Sequence, residues 1–290
     1  DVTVFDASRR SPVAGASVLA RFRGRIWHVA QNGTDAGDGS YARPWHWPRF
    51  CVASEIKPDD HVLIHGEIVQ PVNMPYQRVK PNGAPGHLIT IRPAPGEFAR
   101  LVNDGRAGTP TYMPVHYGQY QRWLNIEVTP PKTLNRNQRY GPYGFWVASG
   151  DTGDLAAQRG KGCEIIHCTI HDVQQGISIW DPAEDMVAYG NLVYHTGAIG
   201  PGGSFAHGWY CHPHRVLFEN NITHRAASYG QHSYGEGRNQ IVEPIYRREI
   251  AYACGWGAAL HCGGAGSAEK GKCVAIRPRV IETTTYQKSS

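Results

Sequence analysis

A glycine followed by four residues of alternating character recurs five times between Gly144 and Cys262. The copies are Gly144-Phe-Trp-Val-Ala, Gly176-Ile-Ser-Ile-Trp, Gly208-Trp-Tyr-Cys-His, Gly230-Gln-His-Ser-Tyr and Gly257-Ala-Ala-Leu-His, with the glycines 32, 32, 22 and 27 residues apart. A second phrase is an apolar alternation that ends at a turn position and resumes with Ile or Val, as in Val187-Ala-Tyr-Gly-Asn191-Leu-Val193 and Val216-Leu-Phe-Glu-Asn220-Asn-Ile222. Its anchors at 168, 191, 220, 248 and 278 step by 23, 29, 28 and 30 residues. Two independent phrases therefore share one drifting period, which is the signature of a repeat architecture. Each period holds two or three short period-2 stretches separated by Gly, Asn or polar turns, with no helical periodicity between them. Such strands stack as coils of a solenoid, about 4.7–4.9 Å per coil, and Asn at one corner of successive coils forms a hydrogen-bonded ladder. The predicted fold is an all-β parallel β-helix of roughly eight to ten coils.

The remaining sequence features fit that reading. A chain of 290 residues is long for one compact domain and natural for one solenoid, and 34 glycines and 20 prolines suit many tight corners. No apolar run reaches the length of a membrane span. The net charge of +5 is spread along the chain without a basic block, which argues against nucleic acid and mildly favours an acidic partner such as an acidic polysaccharide. The seven cysteines form no CxxC pair and are odd in number. Several read as small buried residues, and one disulfide among Cys211, Cys254 and Cys262 stays open.

Taken in order, the chain starts without Met and without a signal-like apolar run, so it is expected to begin inside a longer product. Residues 1–25 read as an N-terminal cap or as the remnant of a β-sandwich module that resembles the carboxypeptidase-regulatory type. From Ile26 the text becomes more specific, with Trp27-His-Val-Ala-Gln-Asn-Gly33-Thr-Asp35-Ala-Gly37 and Arg43-Pro44, then Ile56-Lys-Pro58-Asp-Asp60-His-Val62, then Gly86-His-Leu-Ile-Thr90-Ile-Arg92-Pro-Ala-Pro-Gly96-Glu97. These phrases resemble the first rungs of right-handed parallel β-helix proteins of the pectate-lyase-like superfamily. The resemblance spans residues 26–282 and implies a single-stranded right-handed parallel β-helix with loop insertions. It is specific for fold and not for activity, because the superfamily holds lyases, hydrolases, epimerases and tailspikes. Three excursions, from Val128 to Gly144, Gly150 to Gly162 and Thr196 to Ala206, must leave the solenoid as loops, and such loops commonly wall a binding face. Residues 283–290 read as a polar tail.

Strand alternation turns the glycine phrase into a map of candidate site residues. The first and third residues after each glycine share the inner face, and the second and fourth the outer one. In-register coils would place Trp180, His212, Tyr234 and His261 in one outward column, with Tyr210 and His232 in the column beside it. Flat apolar rings with directional donors suit a sugar ring. We therefore expect His212, Tyr210, His232 and Tyr234 to carry catalysis, and Trp180, Trp146, His261, His207 and Arg238 to bind substrate. The bland alternative is that a flanking loop covers the face and these residues pack beneath it.

Lyase chemistry on a uronic-acid polymer needs a base at C5, a cation or donor at the C6 carboxylate, and an acid at the leaving oxygen. A His/Tyr pair supplies base and acid, and an Arg, a Lys or Ca²⁺ neutralises the carboxylate. Asp181, Glu184 and Asp185 are the candidate Ca²⁺ ligands. The resemblance implies Arg or Lys as base with Ca²⁺, so a His/Tyr site is a departure from it. Glycoside hydrolysis needs two carboxylates about 5–5.5 or 6.5–9.5 Å apart, for which only that acidic cluster and Glu236 are available. Zinc or copper on His207, His212, His214, His232 and His261 is a further alternative, without the ligand spacing of a finger. The sequon at Asn32 is open, while the one at Asn221 falls at the ladder corner and reads as structural. The functional expectation is an extracellular or cell-surface polysaccharide-active protein, first a β-eliminating lyase. The alternatives are a non-catalytic glycan-binding or structural β-helix, such as a surface-assembly or tailspike component, and a glycoside hydrolase.

Overall fold

Short strands with one inward residue each set the architecture. In Glu164–Ile166, Val187–Tyr189, Leu217–Glu219 and Ile245–Arg247 the middle residue points inward, and Ile165, Ala188, Phe218 and Tyr246 are all fully buried. These four strands pair in parallel and in register, one coil to the next, and belong to a face that starts at Ile26–Ala30 and ends at Arg279–Ile281. A second face runs from Gly66 through Thr169–His171, Leu192–Tyr194 and Ile222–His224 to Thr284–Tyr286. The third runs from Tyr76–Val79 through Phe145–Val147, Ile177–Ile179, Trp209–Cys211 and Gln231–Ser233 to Leu260–Cys262. From His61 onward the described strands visit the faces in the order first, second, third, which makes a right-handed parallel β-helix of triangular section. The computed structural model describes residues 2–6, 11–18, 23–70, 76–104, 111–131, 141–147, 160–197, 206–235, 241–255, 260–262, 275–276 and 279–286. Among them the first face has nine strands.

The corners are made by left-handed residues. Between the first and second faces stand His167, Gly190, Asn220, Arg248 and Glu282, with φ of 53, 64, 56, 51 and 49°, each followed by one residue that turns inward. That following residue makes the ladder. The Asn191 side-chain oxygen accepts from the Cys168 N–H at 2.9 Å, and the Asn221 side-chain oxygen accepts from the Asn191 N–H at 2.9 Å. The Asn221 amide in turn donates to Glu249 Oε1 at 2.9 Å. The rungs are thus Cys168, Asn191, Asn221, Glu249 and Thr283, and the expected anchors at 220, 248 and 278 are displaced. Asn220 and Arg248 are the left-handed residues that precede the true rungs. Asn221 is buried with both amide groups bonded, which fits its structural reading.

Two further corners repeat the device. Asp172, His195 and Arg225 follow the second face with φ of 55, 52 and 53°, and Asp185, Arg215 and Glu243 precede the first with φ of 56, 52 and 47°. Arg215 bonds Asp185 Oδ1 at 2.6 Å across adjacent coils, and Arg225 lies 3.1 Å from His195 Nε2. One strand, His61–Val69, turns the corner without a break, because Gly66 at φ 61° joins its first-face and second-face halves.

One apolar core runs inside the solenoid from Trp27 to Tyr246. The short helix Trp47–Cys51, unexpected from the sequence, is capped by the His46 side chain and adds Trp47 and Phe50 to that core. The glycines of the repeat are steric: a Cβ on Gly176 would lie 2.3 Å from the Gly208 carbonyl oxygen and 2.5 Å from Val193 Cγ1. Cys51, Cys163, Cys168, Cys211 and Cys254 are buried and unpaired, so Cys211 and Cys254 form no disulfide. Among the described residues the strands Val2–Asp6 and Ser11–Val18 pair only with each other, antiparallel, in a sheet of their own. The strand Thr284–Tyr286 falls in the stretch read as a tail and pairs in register with Ile250–Tyr252. No helix among the described residues is long and apolar enough to cross a membrane.

Candidate active site on the third face

Strand register places Trp146, Ser178, Tyr210 and His232 in one outward column, with His261 at the next register position, because each is the parallel partner of the next. Trp180, His212 and Tyr234 follow their strands by one residue. His261 therefore pairs in register with His232 and not with Tyr234, a correction to the expected columns. The cause is the fifth phrase: Leu260, not Ala258, pairs with Gln231, so that glycine sits out of phase with the other four. The His261 side chain and Arg238 lie outside the described residues.

The expected rings converge. The His212 ring centroid is 4.6 Å from Trp180, 6.1 Å from Tyr210 and 5.7 Å from Tyr234. His232 is 5.3 Å from Tyr210, 5.6 Å from Tyr234 and 4.7 Å from His207. Trp146 reaches Trp180 at 6.3 Å. Two strings of polar contacts run through this cluster. In the first, His212 Nδ1 lies 3.3 Å from Asp181 Oδ2, and His214 Nε2 lies 3.4 Å from the other oxygen of that carboxylate. In the second, the Ser228 hydroxyl is 2.6 Å from His207 Nδ1, and His207 Nε2 is 3.3 Å from His232 Nδ1.

The face is far less open than its position on the solenoid suggests. His212 is 2 % exposed, His207 3 %, His232 8 % and Tyr210 9 %, while Trp146, Trp180 and Tyr234 are half-buried. The convergence expected of a catalytic face and the burial expected of packing residues are both present. A carboxylate on Nδ1 selects the tautomer whose Nε2 is the basic nitrogen. Buried His212 Nε2 has no hydrogen-bond partner among the described residues.

The acidic cluster divides. Asp181 belongs to the histidines, whereas Glu184 is bonded by Lys161 at 2.7 Å and Arg215 at 2.5 Å, and Asp185 by Arg215. Lys161 and then Arg215 hold the Glu184 carboxyl below the usual carboxylate range, and Arg215 does the same to Asp185. The three carboxylates expected to hold Ca²⁺ are thus committed to different partners. Among the described residues no three His, Cys, Asp or Glu side chains are grouped as metal ligands. The sequence reading missed the link between Asp181 and His212, which lie two residues and one residue beyond third-face strands on successive coils. It also missed Ser228 and Tyr229, whose ring stacks on His207 at 5.5 Å; their signal was the position just before Gly230.

No protein-family model and no curated protein sequence matches the chain. Solved structures do match in shape. A rhamnogalacturonan lyase aligns with a TM-score of 0.61 and 15 % identity over 91 % of this chain and 69 % of its own. The pectate lyase Pel9A aligns with a TM-score of 0.57 and 16 % identity over 83 % of this chain and 57 % of its own, so the chain spans little more than half of that enzyme. These likenesses show the fold, a right-handed parallel β-helix.

Proposed function

We propose that the protein is an extracellular carbohydrate-active enzyme that cleaves an acidic polysaccharide by β-elimination on the third face. The observation that carries this reading is the His212 imidazole, fixed at Nδ1 by Asp181 and flanked by the Tyr210 and Tyr234 rings. His212 Nε2 takes the C5 proton of a uronate, the C4=C5 double bond forms as the C4–O bond breaks, and a tyrosine phenol protonates the departing oxygen. Asp181 balances the imidazolium that results. Trp146 and Trp180 offer half-exposed ring faces to neighbouring sugars. Arg238, expected among the substrate-binding residues, is the proposed partner of the C6 carboxylate. The lyase names of the two similar structures support the substrate class.

The burial of His212 favours a second reading, a non-catalytic glycan-binding or structural β-helix in which these rings only pack. Incubation with pectate, alginate and glycosaminoglycans, with and without Ca²⁺, separates the two. Rising ultraviolet absorbance from the unsaturated product, lost in His212→Ala and reduced in Asp181→Asn, supports elimination. A flat trace with no new reducing ends leaves the second reading standing.

A further inference from the structure

A different face holds a second candidate site, several coils closer to the N-terminus. Outside the first face lies an open groove of about 370 Å³ lined by Arg23, Asp59, His61, Leu88, Thr90 and Arg122. Register makes His61, Thr90 and Arg122 one outward column on three successive coils. The column continues to Glu164, whose Oε2 accepts from Arg122 Nε at 2.5 Å. That bond uses one edge of the guanidinium, and the two terminal nitrogens of Arg122 have no partner among the described residues. The Arg23 guanidinium is likewise unpartnered among them. The Thr90 backbone N–H is bonded to the Asp60 carbonyl, while its side chain lines the groove and its hydroxyl has no partner among the described residues. Asp59 accepts from His87 Nδ1 at 2.8 Å on one carboxylate oxygen. Burial, and then the charges of Arg92 and Arg122, hold His61 below its ordinary range, which favours the neutral imidazole in the lining.

This donor set defines a ligand. Two guanidinium groups with free N–H edges match a carboxylate, which accepts such forks with charge-assisted bonds. A hydroxyl, a neutral imidazole and one carboxylate acceptor match sugar hydroxyls. The Asp59 carboxylate in the lining also works against a multiply charged anion. The volume lies at the low end of ordinary small-ligand sites, about 300–1,000 Å³. We propose that this groove binds one uronate unit of an acidic polysaccharide, with its carboxylate on Arg23 and Arg122 and its hydroxyls on Thr90, His61 and Asp59. The inference stands on the groove alone and does not depend on the third-face chemistry.

Titration calorimetry of the whole chain with trigalacturonate tests it, with galactose and the fully methyl-esterified trimer as controls. The acid trimer is expected still to bind in His212→Ala, where the proposed third-face elimination is removed. Arg122→Gln and Thr90→Val should each weaken it about tenfold, the loss of one charge-assisted or buried hydrogen bond. Arg23→Gln, at an exposed position, gives the same reading if the inner variants fold poorly. Galactose and the ester should bind at least about tenfold more weakly. Absence of binding, equal affinity for acid and ester, or affinity unchanged in the groove variants but lost in His212→Ala would each overturn the assignment.

Discussion

His116 should make the solenoid sensitive to acid. Its ring is fully buried on the strand Thr111–His116, stacked on Trp123 at 4.4 Å and edge-on to Phe145 at 5.4 Å. Neither ring nitrogen has a hydrogen-bond partner among the described residues. Burial alone drives the pKa from 6.5 down to about 3. The unfolded chain therefore binds a proton below pH 6.5 that the folded chain refuses. Stability is fully present above pH 6.5 and falls as pH drops toward 3. The loss is about 1.4 kcal/mol per pH unit, hence about 2 kcal/mol by pH 5 and at most about 5 kcal/mol. The perturbation is His116→Leu, which keeps an apolar side chain of similar size. At pH 7.5 it removes two unsatisfied nitrogens, worth about 1–3 kcal/mol, and loses ring stacking worth about 1 kcal/mol. The variant is thus expected to be slightly more stable than wild type. Equilibrium urea unfolding, followed by tryptophan fluorescence from pH 7.5 to pH 4.5, gives the difference. His28, His61 and His224 are also shifted down, but they titrate in both proteins and cancel. The gap must widen by about 2 kcal/mol between pH 6.5 and pH 5. A gap that stays constant across this range would refute the argument.

Glu249 gives the opposite dependence: burial pushes its carboxyl up to about 8, so the stability it contributes is present below pH 4.5 and lost as pH rises through 8. Melting temperatures from pH 6 to pH 9 should fall less steeply in Glu249→Gln, which keeps an acceptor for Asn221 without the charge. Asn221→Ala removes the rung that accepts from Asn191 and donates to Ala188 and Glu249, and should cost about 2–4 kcal/mol in urea unfolding at pH 7. Gly176→Ala forces a Cβ against the Gly208 carbonyl, and should lower stability by about 3 kcal/mol or more or leave the chain insoluble, as solubility and circular dichroism will show.

The solenoid was legible because its determinants are local. Gly144, Gly176 and Gly208 each place bare backbone against the carbonyl of the next glycine in the column, so one steric demand repeats visibly in the text. Register at the C-terminal coils was not legible. Gly257 imitates the phrase, yet Leu260 is the residue that pairs with Gln231, and hydrogen bonding between coils decides this, not the glycine. At the ladder corner two adjacent asparagines, Asn220 and Asn221, are interchangeable by composition. Only the left-handed φ of the first shows which one turns inward. On the third face alternation correctly brought Tyr210, His212, His232 and Tyr234 together. It was silent on their burial, because a strand pattern says which side a residue takes and not what lies over that side. The tie between His212 and Asp181 was hidden for a similar reason, since it joins two coils 31 positions apart.

The left-handed corners also set the order in which the coils stack. On one edge Asp185, Arg215 and Glu243 follow one another, and Arg215 bridges back to both Glu184 and Asp185. On another, Asp172, His195 and Arg225 do the same, with His195 between an acid and a base. Backbone pairing alone is indifferent to sequence, so excising the coil that carries Arg215 would still leave strands able to stack. It would, however, bring the carboxylates of Asp185 and Glu243 face to face, and like charges at such a junction repel. The edges of the prism thus act as a charge-coded sequence of tumblers, which lets each turn recognise its proper neighbour among many turns of nearly the same shape.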